Sequence, residues 1–205
     1  MIPFPSPLPF EVDRALAALG WYALLAALVV AAVFAMLAFT RERPKLIWWS
    51  AAAVGVAFIP AAALPGQPAL AASVLIALLG GGIAVIGGSS AAVLALDTAM
   101  GGAVEPGLHG GIMVPPKGAR GEGLLAERTE VLRGGITIGV LERIGAAGTI
   151  IAGFPEGLAV VVAIKGIGRF SELESGEARE RFIIGTLASL VWACACALVV
   201  HLVIR

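Results

Sequence analysis

The sequence predicts an all-α fold, a polytopic integral membrane protein with six membrane-inserted helices. Three observations predict it. Hydrophobic residues make up 59% of the 205 residues and charged residues 14%, against about 45–50% and about 25% in an average soluble chain. Four stretches run uncharged for at least the thickness of a bilayer. The basic residues gather in loops that fall on one side when the chain alternates across it. The same numbers exclude other classes. Lys+Arg and Asp+Glu are both 14, so no net field recruits nucleic acid. The apolar content excludes disorder, and two cysteines are too few for a secreted disulfide scaffold.

A helix needs about 20 apolar residues to cross about 30 Å of hydrocarbon. Residues 1–14 read as an external, proline-rich tail with no basic n-region, so no cleaved signal peptide is expected. Residues 15–97 read as three transmembrane helices. Ala15–Phe39 is uncharged over 25 residues, Leu46–Leu64 over 19 and Pro68–Leu96 over 29. Trp21-Tyr22 and Trp48-Trp49 stand near span ends, where aromatic rings anchor at the interface. Pro60 is expected to kink the second span. The third is long enough that it must tilt, bend at Gly80–Gly82 or Gly87-Gly88, or project from the bilayer.

Residues 98–132 read as a cytoplasmic loop rich in Gly and Pro. Two readings of its end stay open, a solvated loop or a short amphipathic helix over Glu122–Leu132. His109 reads as an exposed loop histidine. Asp97 should have a basic partner, because a carboxylate at a helix C-terminus is unfavourable.

Residues 133–205 read as a charged helical hairpin and a final span. Phe154-Pro155-Glu156-Gly157 divides the hairpin, with Pro155 and Glu156 suited to the start of its second helix. Folding there sets level the residues whose numbers sum to about 308. Glu142, Arg143 and Lys165 then share one layer, with Arg169 nearby. The hairpin either spans fully or re-enters. Full depth puts the layer near the midplane, where ionisable groups mark function by default. A shallow bend puts it near the interface, where Lys and Arg reach water cheaply. Gly135, Gly139, Gly145, Gly148 and, on the last span, Gly185 are small enough for close helix packing. Phe182–Ile204 is uncharged over 23 residues and forms the last crossing. Cys194 and Cys196 point to different faces of it and read as packing residues.

Three loops carry eleven basic residues: Arg41–Lys45, Thr98–Arg133 and Lys165–Arg181. The other side receives Arg14 and Arg205 alone. The positive-inside rule therefore places the three loops in the cytoplasm and both termini outside.

Gly139-Val-Leu-Glu142-Arg143, then Pro155, Lys165-x-x-x-Arg169-Phe170 and Glu180-Arg-Phe-Ile-Ile-Gly185-Thr186-Leu187-Ala-Ser189 are similar to the C-terminal segment of the DUF3307 family of bacterial membrane proteins. That family's pattern is IGxLER, K, RF and EYxLIGTLxS. The resemblance covers Gly134–Ser189. It departs at Arg181-Phe182, where the family's pattern has Tyr, and the family's N-terminal His…Asp motif is missing. It implies a shared module of hairpin and final helix with Glu142, Arg143, Lys165, Arg169 and Gly185-Thr186 as marked positions, and it implies no activity. It also implies a bacterial inner-membrane setting.

No HExxH, CxxC, GxSxG or phosphate-loop pattern occurs, so neither an enzyme, a metal site nor a cofactor is expected. The leading expectation is a non-enzymatic membrane component that packs with itself or with another membrane protein, its small-residue helices bearing the contact. The alternative is a small ion, proton or solute transporter or channel using the Glu142/Arg143/Lys165 layer.

Overall fold

A computed structural model describes residues 10–64, 66–101, 112–114, 129–131, 135–169 and 176–205. It is a helical protein, with six α-helices among the described residues: α1 Phe10–Thr40, α2 Ile47–Ala63, α3 Leu70–Met100, α4 Gly135–Ile151, α5 Gly157–Arg169 and α6 Gly176–Ile204. A short antiparallel ribbon, β1 Ile112–Val114 on β2 Thr129–Val131, lies between α3 and α4.

Among the described residues four helical stretches are long and apolar enough to cross a membrane: Arg14–Thr40, Pro44–Ala63, Leu70–Met100 and Ala178–Ile204. This is consistent with a multi-pass membrane protein. Their outward faces agree. Leu19, Val33, Ile59, Leu78, Leu187 and Val191 are all about half or more exposed. A soluble monomer rarely exposes contiguous apolar patches beyond a few hundred Å², and here every long helix turns several large apolar side chains outward.

The buried positions explain why the helices associate. On α1 they are Leu24, Leu28, Ala31, Ala35 and Ala38, alternating steps of four and three. On α2 they include Ile47, Ser50, Val54, Ala57 and Ala61, the same rhythm. A repeat of about 3.5 keeps one stripe of a helix facing a neighbour. The α3·α6 contact is the most extensive, with α1 and α4 also packed on α3 and α2 reaching α6. Most buried residues are Ala, Gly, Val or Ile, so backbones approach closely. A Cβ on Gly80 would fall 2.2 Å from Val200 Cγ2, and one on Gly87 2.6 Å from Trp192 Nε1. Polar ties accompany the packing. Ser50 Oγ donates to Ala31 O at 2.8 Å, and Trp192 Nε1 to Ile83 O at 2.9 Å.

Element ends differ from the sequence reading in instructive ways. The first helix starts at Phe10, so residues 10–14 of the expected tail are helical. An uncharged run stops at Arg14, but helix propensity does not stop at a charge. α3 runs unbroken through both glycine clusters and past Leu96 to Met100, where Gly101 takes the left-handed conformation (φ 65°) and closes it. Pro60 lies inside α2 near its end, and Leu64 N–H donates to Pro60 O. Thr129–Val131 is a strand, so the expected amphipathic helix does not extend through them; the rest of that expectation, and His109, lie outside the described residues.

Candidate functional site: a charged helix pair against α3 and α6

Helices α4 and α5 fold back on each other through Ala152–Glu156. Gly153 (φ 72°) takes the left-handed backbone that the reversal needs. Pro155 and Glu156 lie in the turn, and their carbonyls accept the N–H groups of Leu158 and Ala159, which start α5. The arms are antiparallel and close. A Cβ on Gly145 would lie 3.2 Å from Val161, and one on Gly157 2.6 Å from Thr149.

The turn stands level with the C-terminal end of α6. A Cβ on Gly153 would lie 3.4 Å from His201 Cε1, and His201 Nδ1 is 3.5 Å from Ile151 O. The α2–α3 connection is at this same end, because Gln67 Nε2 donates to Arg205 O at 3.1 Å.

Glu142 and Arg143 sit side by side in the middle of α4, yet about 100° apart around its axis, and they face different neighbours. Glu142 turns to α5, where its Oε2 pairs with Lys165 Nζ. Lys165 also lies over the Phe182 ring of α6, 5.3 Å from its centroid, a cation–π contact. The other carboxylate oxygen, Glu142 Oε1, is buried and has no hydrogen-bond donor among the described residues.

Arg143 turns the other way, into the seam between α3 and α6, and is 5% exposed. Its Nε donates to Val85 O at 2.7 Å and its Nη1 to Ser189 Oγ at 3.2 Å. Gly88 provides the space, since a Cβ there would fall 2.2 Å from Arg143 Cδ. Gly139, one turn back on α4, leaves room for Nη1, with its ideal Cβ 3.0 Å away. Among the described residues no carboxylate pairs with this guanidinium. Two neutral oxygens hold it instead, each accepting from one of its five N–H donors, and neither cancels its charge.

The structure thus joins Glu142 to Lys165 and gives Arg143 hydrogen-bond partners on other helices. The Arg169 side chain lies outside the described residues. Gly135 begins α4. Gly148 faces open space, and a Cβ on Gly185 would lie 3.4 Å from Leu96 Cδ1 of α3. Asp97 has no side-chain partner among the described residues, and the basic residues of the loop that follows it lie outside them. Sequence reasoning missed Gly88, Ser189, Val85 O and Phe182 as partners of the charges. A signal was present: Gly87-Gly88-Ser89-Ser90 and Ser189 put small and hydroxyl residues inside apolar runs. No protein-family model, curated protein or solved structure matches the chain.

Proposed function

We propose that this chain is a non-enzymatic component of a bacterial inner membrane that packs with itself or with another membrane protein. All six helices are membrane-inserted in this reading, α4 and α5 as a hairpin whose turn points to the side of Arg205, with the basic loops cytoplasmic and both termini outside. The contact of the turn with His201 supports full depth for the hairpin. The eleven-to-two basic bias supports the orientation. The resemblance of Gly134–Ser189 to the DUF3307 module supports the bacterial setting.

One observation carries the packing role. A Cβ added at Gly55 on α2, Gly81 and Gly82 on α3, or Gly148 on α4 would meet nothing within 4 Å. The other glycines of α3 are filled by this chain's own side chains, and these four are not. In lipid, unfilled small positions let a second helix backbone approach, and such approach drives association. Purification in mild detergent, with mass measurement of the particle, tests the role. The expected result is a particle heavier than one chain or one with a stoichiometric companion. A monodisperse monomer without companions contradicts it.

The second reading is a small ion, proton or solute transporter lined by Glu142, Arg143 and Lys165. The donor-free Glu142 Oε1 favours it, because a half-satisfied buried carboxylate costs energy unless something visits it. Ion flux into liposomes that changes on Lys165→Ala supports this reading, and flux indistinguishable from empty liposomes removes it.

A further inference from the structure

The α4–α5 pair is poorly suited to enter a bilayer alone. At 1.5 Å per residue, the 17 residues of α4 and 13 of α5 reach about 25 Å and about 20 Å, short of the hydrocarbon thickness. Besides Arg169 at its end, the pair carries three charges, Glu142, Arg143 and Lys165, and a charge in mid-helix opposes insertion. Two of the three cancel inside the pair, as Glu142 meets Lys165. The third cannot. Arg143 points out of the pair, and its acceptors are Val85 O on α3 and Ser189 Oγ on α6. The α6 acceptor lies later in the chain than the charge it satisfies. Its aliphatic stem crosses the surface of α3 at Gly88, where an added Cβ would collide with Arg143 Cδ.

Resting on the reading that the pair is membrane-inserted, we propose that Arg143 is a latch. The α4–α5 hairpin takes its full depth only when Arg143 docks on Gly88, Val85 O and Ser189 Oγ, so α3 and α6 together license the insertion of the segment between them. An undocked hairpin withdraws toward the side of the Arg41–Lys45 turn, where its three charges regain water. The latch is an arginine because two separate acceptors must be reached at once, and a planar guanidinium presents Nε and Nη1 in a fixed fork.

The full-length chain in sealed vesicles tests this with a membrane-impermeant maleimide. Phe154→Cys reports the turn and, in a separate chain, Arg205→Cys reports the end of α6. In the otherwise unchanged protein, both label from the same side. Gly88→Val places methyl groups where the Arg143 stem lies. It should cut labelling at 154 from that side at least about tenfold while labelling at 205 persists. Adding Arg143→Ala removes both clash and charge and should restore labelling at 154 to within about twofold. Gly176→Ala, where an added Cβ meets nothing within 4 Å, should change nothing. Ser189→Ala adds no bulk and deletes one acceptor, so it should lower labelling at 154 about threefold; this arm decides the matter should Gly88→Val lose labelling at both sites. The latch is overturned when labelling at 154 persists in Gly88→Val or Ser189→Ala, or when Arg143→Ala fails to restore it. A turn that labels from the side opposite Arg205 in the unchanged protein refutes membrane insertion itself, and the latch with it.

Discussion

Glu142 and Arg143 are neighbours in sequence with opposite obligations. Glu142 compensates Lys165, whose side chain is 14% exposed. Removing the carboxylate strands an ammonium that has little water to turn to. Glu142→Ala should therefore cost about 3 kcal/mol, and the double change Glu142→Ala/Lys165→Met clearly less. Thermal unfolding in detergent measures both, and a double variant less stable than the single one contradicts the pairing. Glu42 offers a test of the opposite sign. It takes φ 51° in the tight turn between α1 and α2, and is the one positive-φ residue other than glycine among those described. A Cβ in that region costs about 1–2 kcal/mol, so Glu42→Gly should raise the melting temperature, and a fall would show that its side chain matters more than its backbone. At this scale the sequence told which residues were chemically unusual but not what they would touch. A sum of about 308 set Lys165 level with Arg143. Height ignores direction around the helix, and one residue of rotation hands Lys165 to Glu142 and Arg143 to other helices.

Among the helices, α3 decides the packing because its glycines are divided between used and unused positions. Gly80 and Gly87 are occupied by Val200 and Trp192 of α6, and Gly88 by Arg143 of α4. A large side chain at Gly80 must displace Val200, which is fully buried. Gly80→Leu should destabilise by about 1–3 kcal/mol. Gly55 sits in α2 with nothing within 4 Å, so Gly55→Ala should be neutral or gain up to about 1 kcal/mol from helix propensity. Equal losses at the two positions, by the same thermal measurement, would mean that the assigned α3·α6 interface is wrong. Helices of this kind were legible because their apolar runs match membrane thickness. Their ends were less so, since Phe10 and Met100 lie beyond charges that stop a run without stopping a helix. The β1–β2 ribbon escaped notice. Its triplets Ile-Met-Val and Thr-Glu-Val are too short to show a period in a Gly- and Pro-rich stretch.

For the whole molecule, the four long helices and the apolar faces around them make sense when lipid is the solvent. In that solvent the interior is held by small-residue contact, by side chains such as Ser50 and Trp192 that donate to helix carbonyls, and on α4 by the Glu142–Lys165 ion pair and the hydrogen bonds of Arg143. The asymmetry of the basic residues adds a direction. Arg43 and Glu180 flank the helix ends opposite the α2–α3 connection, and Arg205 lies beside it. The most direct test is side-specific labelling of single cysteines placed at Arg43, Glu180 and Arg205 in sealed vesicles of known orientation. The account predicts that positions 43 and 180 react from the cytoplasmic side and 205 from the other. Labelling of 43 and 180 from opposite sides, or of all three from one side, would contradict it.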